Sequence, residues 1–272
     1  MAAPEQLVKH VLGIAERAGK EIMEVYEGGF TVTEKADRSP LTEADLRSHE
    51  AICRDLSELA DLPILSEEAA AQPYDERAGW SRFWLVDPLD GTKEFVNRNG
   101  EFTVNIALIE DGVPVLGVVH APCLELTYWA ADGKAFRRDC QGMTEVHASD
   151  YIGGSLRVVA SRSHAGPETE ALLTHLRARL GDLDLVNRGS SLKLCMVADG
   201  QAHLYPRLGP TMEWDVAAAD AVVRAAGGEV VNLLGHPLAY NKKSLLNPFF
   251  LVRAVGRGTR ALVIDEFGQT SA

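Results

Sequence analysis

Leu7, Val11, Ile14, Ala15, Ala18, Ile22 and Tyr26 recur at the spacing of one helical face, and Gly28-Gly29 follows as a stop. Residues 30–33 then read as a strand, and Ser39-Pro40 marks a turn before a second helix. That helix is expected to begin near Thr42, whose hydroxyl and the acid three positions on, Asp45, form a capping-box pattern. Pro63-Ile64-Leu65 and Phe83-Trp84-Leu85-Val86 are short apolar runs ended by acids, the signature of buried strands. Residues 102–109 alternate, Asp111-Gly112 turns the chain, and residues 113–119 and 124–129 follow as further strands. A meander of this kind pairs antiparallel, so the sheet cannot be all parallel.

Around residues 148–154 the sequence turns small and polar, which predicts a boundary between an N-terminal α/β half, 1–148, and a C-terminal one, 149–272. The second half alternates: strand 156–160, helix 167–180, strand 183–186, helix 191–197, strand 202–205, helix 216–226 closed by Gly227-Gly228, and strand 229–231. The fold class is α/β (α+β) with mixed and antiparallel sheets. Residues 256–272 are expected to be partly unpacked.

Composition narrows the function. The chain has 272 residues, 46% of them hydrophobic and 24% charged, ordinary for a globular protein of one large domain or two packed halves. A net charge of −12 disfavours a nucleic-acid polymer or an anionic membrane as partner. It does not disfavour a small anionic substrate, because a bound cation reverses the local field. Cys53, Cys123, Cys140 and Cys195 lie far apart with no Cys-x-x-Cys pair, so neither a disulfide framework nor a zinc site is indicated, and they read as reduced cysteines of a cytoplasmic protein. Charged residues interrupt the N-terminal apolar pattern, which excludes a secretory signal, and no apolar run is long enough for a transmembrane helix.

The richest segment chemically is Asp87-Pro88-Leu89-Asp90-Gly91-Thr92. The preceding strand delivers Asp87 to a sheet end, where ligands commonly bind. Pro88, with no N–H to donate, is expected to stop the ladder, and Gly91 allows φ values that other residues avoid. A helix opening at Thr92 presents free N–H groups to an anion. Paired carboxylates repel unless something positive lies between them, and hard cations such as Mg²⁺ take oxygen ligands. An acidic surface turn has the same composition. Glu67-Glu68 after the strand at 63–65 and Asp215 before Val216-Ala217-Ala218-Ala219 are further strand-end or helix-start acids. Each alone also reads as macrodipole or capping chemistry, as Asp45 reads as a cap, but a multinuclear site gathers several carboxylates from separate elements.

Ser66-Glu67-Glu68, Asp87-Pro88-Leu89-Asp90-Gly91-Thr92 and Trp214-Asp215-Val216-Ala217-Ala218 together resemble the inositol monophosphatase superfamily of lithium-sensitive, magnesium-dependent phosphatases, over about residues 35–250. Within it, Lys93-Glu94-Phe95 and Asn99-Gly100-Glu101-Phe102-Thr103-Val104-Asn105 are similar to the 3′(2′),5′-bisphosphate nucleotidase branch, as are Ser161-Arg162-Ser163-His164 and Gly189-Ser190-Ser191-Leu192-Lys193. Met212-Glu213 departs from the less acidic residues expected there, which bears on the finer shape of the pocket.

The resemblance implies a layered αβαβα sandwich and assigns roles. Glu67, Asp87 and the carbonyl of Leu89 would hold one Mg²⁺, and Asp87, Asp90 and Asp215 a second, with a third near Glu67. Asp45 with Thr92 would orient and deprotonate the attacking water. Gly91, Thr92, Ser161, His164, Gly189, Lys193 and Asp215 would contact the substrate. Taken singly, His164 also reads as an ordinary histidine and Lys193 as a solvated helix lysine. The implied reaction converts adenosine 3′,5′-bisphosphate to AMP and phosphate, clearing a by-product of sulfate assimilation, by a monomer or homodimer, cytoplasmic or peripheral at the inner membrane face. An inositol or sugar phosphate phosphatase and a non-catalytic binding protein on the same scaffold are the alternatives.

Overall fold

The computed structural model describes residues 4–34, 40–160 and 166–259. The first helical pattern forms α1 (Pro4–Gly28), and α2 (Glu43–Leu59) begins at the expected cap. Thr42 Oγ1 accepts from Ala44 N at 3.2 Å and the Asp45 carboxylate accepts from Thr42 N at 2.8 Å, a capping box of the kind that contributes about 1 kcal/mol. Between them the strand expected at 30–33 is displaced. Among the described residues there, β1 (Thr33–Glu34) pairs with β2 (Pro40–Leu41), and Phe30 packs its ring on Phe95 at 4.5 Å instead of entering a ladder.

There follow β3 (Ile64–Ser66), the one-turn α3 (Tyr74–Arg77), β4 (Arg82–Asp90), the short α4 (Thr92–Val96), β5 (Thr103–Glu110), β6 (Val113–Ala121), β7 (Leu126–Ala131), β8 (Lys134–Asp139) and β9 (Gly142–Glu145). β3 to β9 form a seven-stranded sheet in sequence order, parallel between β3 and β4 and antiparallel elsewhere. Pro88 does not end β4. The strand continues to Asp90, but its register against β5 shifts between Asp87 and Asp90, so the missing N–H produces a bulge rather than a stop. β8 and β9 were not predicted, since residues 134–145 are charged and mostly half-buried or exposed and carry no apolar alternation.

The second sheet comes from β10 (Leu156–Ala160), α5 (Pro167–Leu180), β11 (Leu183–Asn187), α6 (Leu192–Ala198), β12 (Leu204–Arg207), α7 (Glu213–Ala225), β13 (Gly228–Asn232) and β14 (Phe250–Ala254). Its order is β11-β10-β12-β14-β13, parallel around β10 and antiparallel around β14, a strand not foreseen from sequence. Of the stretch expected to be partly unpacked, the described part is packed: Asp150 accepts from Gly258 N and from Thr259 N and Oγ1, and Thr259 is buried, while residues 260–272 lie outside the described residues.

The layers stack in an αβαβα sandwich. α1 and α2 cover one face of the seven-stranded sheet with Ile14, Ile22, Ile52 and Leu56 against Trp84, Val86 and Ile106. α6 and α7 lie between the sheets, and α5 covers the outer face of the second sheet through Leu172, Leu173 and Leu176. α6 buries every residue it has, all of them apolar except Lys193. α7 is built of small residues and comes so close to β6 that a Cβ on Gly117 would lie 2.1 Å from the carbonyl oxygen of Ala218. This packing brings the N-terminus of α7, with Asp215, to the end of the first sheet.

Candidate active site

Oxygens of Glu67, Asp87 and Asp215 all lie within 4.8 Å of one another. Each arrives for a local reason. Glu67 directly follows β3 and its N–H donates to Val86 O at 3.1 Å, which holds it beside the end of β4. Asp87 is buried on β4, and its Oδ1 accepts from Leu89 N at 3.1 Å across the bulge. Ser48 Oγ on α2 donates to Pro88 O at 2.7 Å, pinning the same loop from the other side. Asp215 is at the third position of α7, where its Oδ2 accepts from Met212 N at 2.9 Å. Asp90 lies near enough for its field to act on Asp87 and Asp215. Its Oδ2 accepts a 2.5 Å hydrogen bond from Ser191 N.

The clustered carboxylates oppose one another's ionisation. Burial, followed by the fields of Glu67, Asp90, Asp215 and Asp45, pushes the Asp87 carboxyl well above its ordinary value of 3.8. Burial and then Asp90 raise Asp215 to about 8. At about 1.4 kcal/mol per tenfold change in acidity this is several kcal/mol, whereas a helix N-terminus returns roughly 0.3–1 kcal/mol to a carboxylate. Desolvation therefore outweighs the cap at Asp215. Asp90 rises to about 6, lifted by burial and held back first by Lys193. The cations whose fields oppose this rise are Lys193 at Asp90 and Arg207 at Asp215. Clustered oxygens with so little compensating charge fit a divalent ion.

Asp45 and Thr92 meet as the resemblance implies: Thr92 Oγ1 is 3.3 Å from Asp45 Oδ1 and 3.5 Å from Leu89 O. Gly91 has φ +89° and turns the chain between β4 and α4. Lys193 differs from a solvated helix lysine, being buried on α6 with its charge acting on Asp90. It is thus near the carboxylates rather than remote from them. Gly189 is buried beside Glu94 and Glu101. Ser161 and His164 lie outside the described residues.

Glu213 does not shape the pocket. Its fully buried carboxylate accepts from Asn241 N at 2.7 Å and from Lys242 N and Nζ at 3.0 and 2.6 Å, clamping the segment between β13 and β14 onto the start of α7. Sequence reasoning also missed Thr103, Asn105 and Ser191. Ser191 Oγ donates to Asn105 Oδ1 at 2.8 Å and lies 2.8 Å from Thr103 Oγ1. A signal was present: two polar residues on alternate positions of an otherwise apolar strand share one face.

The sequence profile of the inositol monophosphatase family matches residues 3–253. The chain is 48% identical over 250 residues to the 3′(2′),5′-bisphosphate nucleotidase CysQ of Escherichia coli (strain K12), covering 90% of this chain and 99% of that one. It is 38% identical, over 90% of this chain and 92% of the other, to the protein of that name from Aggregatibacter actinomycetemcomitans. Among solved structures, CysQ from Bacteroides thetaiotaomicron superposes with a TM-score of 0.83 at 41% identity, covering 94% of this chain and 99% of that chain.

Proposed function

The chain belongs to the inositol monophosphatase family, and from that premise we propose that it is a Mg²⁺-dependent 3′(2′),5′-bisphosphate nucleotidase that converts adenosine 3′,5′-bisphosphate to AMP and phosphate. The carrying observation is the convergence of Glu67, Asp87 and Asp215 within 4.8 Å beside the Thr92–Asp45 pair. The substrate class rests on the relatives named for that activity. Glu67, Asp87 and the Leu89 carbonyl would hold one ion, and Asp87, Asp90 and Asp215 a second, with a third near Glu67. When bound, Mg²⁺ supplies Lewis-acid polarisation of the phosphoryl group and makes a neighbouring water more acidic.

The protein's own residues then orient and deprotonate. Thr92 gives its hydroxyl proton to Asp45 Oδ1, which leaves its oxygen free to accept from the attacking water. Asp45 is kept in place through its other oxygen, Oδ2, which accepts from Thr42 N and Oγ1. Water adds to phosphorus as one of its protons passes by way of Thr92 to Asp45, the bond to the ribose 3′-oxygen breaks, and that oxygen takes up a proton from bulk water. Lys193 sets the charge at Asp90 and faces the anion that binds there, with Gly91, Gly189, Ser161 and His164 as further substrate contacts. No residue becomes phosphorylated. Clearance of a by-product of sulfate assimilation, in the cytoplasm or at the inner membrane face, is the role that suits this chemistry, and the free state of all four cysteines agrees with a reducing compartment.

Phosphate release over a panel of bisphosphate nucleotides, inositol phosphates and sugar phosphates, with Mg²⁺ and with a chelator, tests this directly. Preference for the bisphosphate nucleotide with complete loss on chelation is expected. Preference for inositol phosphate would assign the alternative phosphatase activity, and no turnover of any substrate would leave a binding protein.

A further inference from the structure

Asp90 is the ligand candidate farthest along β4, where pairing with β5 resumes after the register shift that follows Asp87. Its Oδ2 accepts from the backbone N–H of Ser191, at the junction before α6, and Ser191 is itself 1% exposed. The Ser191 hydroxyl donates its single proton to Asn105 Oδ1, so Thr103 Oγ1 is the donor in the Thr103–Ser191 contact. Thr103 is the cross-strand partner of Asp90 on β5, and Asn105 that of Asp87. The two β5 residues that pair with the loop aspartates are therefore the two that grip the serine.

The backbone shows that this junction is specified. Ser190, immediately before, has φ +47°, a left-handed conformation that costs a non-glycine residue energy and persists only where the surroundings impose it. Thr103, Asn105 and Ser191 are all essentially inaccessible, and Asn105 Nδ2 has no hydrogen-bond partner. A buried polar cluster with one donor unsatisfied is a poor way to stabilise a core, since an apolar set of the same shape would pack as well without the desolvation cost. What the cluster does is transmit a position from β5 to Ser191 N and so to Asp90.

We propose that Thr103, Asn105 and Ser191 are positioning residues that hold Asp90 at the geometry needed to bind the divalent ion it shares with Asp87 and Asp215, a role that rests on the proposed metal-dependent function. Changing residues that orient a ligand typically weakens metal binding by about ten- to a hundred-fold.

Mn²⁺ binding, followed by electron paramagnetic resonance of the free ion without substrate, tests this independently of turnover. The wild type, Ser191→Ala, Asn105→Ala and Thr103→Val would be titrated in parallel, with circular dichroism of each metal-free protein. The expected result is a loss of Mn²⁺ affinity of about tenfold or more in each variant with an unchanged spectrum, and a Ser191→Ala/Asn105→Ala double variant no worse than the weaker single one. Wild-type Mn²⁺ affinity in the folded variants would overturn the proposal, as would additive losses in the double variant. Should Ser191→Ala fail to fold, the near-isosteric Thr103→Val carries the same expectation and the same refutation. A wild type that binds Mn²⁺ but hydrolyses no nucleotide would reject the functional reading and leave this test intact.

Discussion

The Asp45 carboxylate divides its labour between its two oxygens: Oδ2 accepts from the backbone N–H and hydroxyl of Thr42, while Oδ1 faces the hydroxyl of Thr92 at 3.3 Å. The cap engages Oδ2, so capping and the proposed role as a base are compatible in this residue. Thr92→Ala and Asp45→Asn should each lower kcat by about 10²–10⁴-fold, with smaller changes in KM, and Thr92→Ser should retain activity. Steady-state kinetics at saturating Mg²⁺ checks this. Wild-type kcat in Thr92→Ala would remove the pair from the mechanism.

Lys193 lies beside Asp90 and holds back the rise in that carboxyl. Removing the ammonium should push Asp90 further upward, so that a higher pH is needed to ionise it. Lys193→Ala is expected to impair a bisphosphate nucleotide and a simple sugar phosphate together, losing about ten- to a hundred-fold in kcat/KM, with the acid limb of the pH–rate profile displaced upward. A loss confined to the nucleotide would mean that the lysine serves the second phosphate alone.

Without metal, the acidic cluster makes the fold prefer low pH. Asp90 and Asp215 have folded-state pKa values of about 6 and about 8, above those of an unfolded carboxylate. The native state therefore binds more protons than the unfolded state, and stability falls as pH rises from about 4 to 8. Calorimetry in chelator should show the melting temperature decreasing over that interval, and Mg²⁺ should raise it more at pH 8 than at pH 5. Equal stabilisation at both values would contradict the assignment of these carboxylates.

Asp90→Asn separates stability from function on the same grounds. It removes one charge from a site that repels itself, so the metal-free protein at pH 8 should unfold at or above the wild-type temperature, while turnover falls by several orders of magnitude. Parallel melting curves and rates decide the matter. A variant with wild-type activity would make the loop a structural turn.

Gly117→Ala addresses packing alone. The added methyl would meet the Ala218 carbonyl at 2.1 Å, closer than any displacement of a flexible side chain can relieve. A destabilisation at or above the usual overpacking range of about 1–3 kcal/mol is expected, visible as a melting temperature lowered by several degrees. An unchanged melting temperature would mean that α7 slides on the sheet.

Local features were legible in the sequence. The Thr42–Asp45 cap needed only a spacing of three, and the turn at Gly91 only the residue that tolerates it. The carboxylates of the candidate site stood out because each follows a strand or opens a helix. What escaped depends on distant partners. Lys193 reads as solvated until α6 is seen between two sheets, and Glu213 looks like a pocket residue until Lys242 reaches it from 29 positions away. β8 and β9 escaped because strands at the margin of a sheet need no apolar alternation.

The placement of α7 between the sheets also sets a timetable for biosynthesis. The face of the seven-stranded sheet that carries Phe83, Leu85, Ala107 and Ile109 belongs to the same core as Val216, Ala218 and Val222 of α7. A ribosome adds about 5–20 residues per second, so the sheet is made on the order of several seconds before its cover, and its apolar face stays bare in that interval. Asp87 and Asp90 wait equally long for Asp215. A nascent chain of this design exposes that apolar face until its last third emerges, and its acidic cluster is complete only once Asp215 has been made.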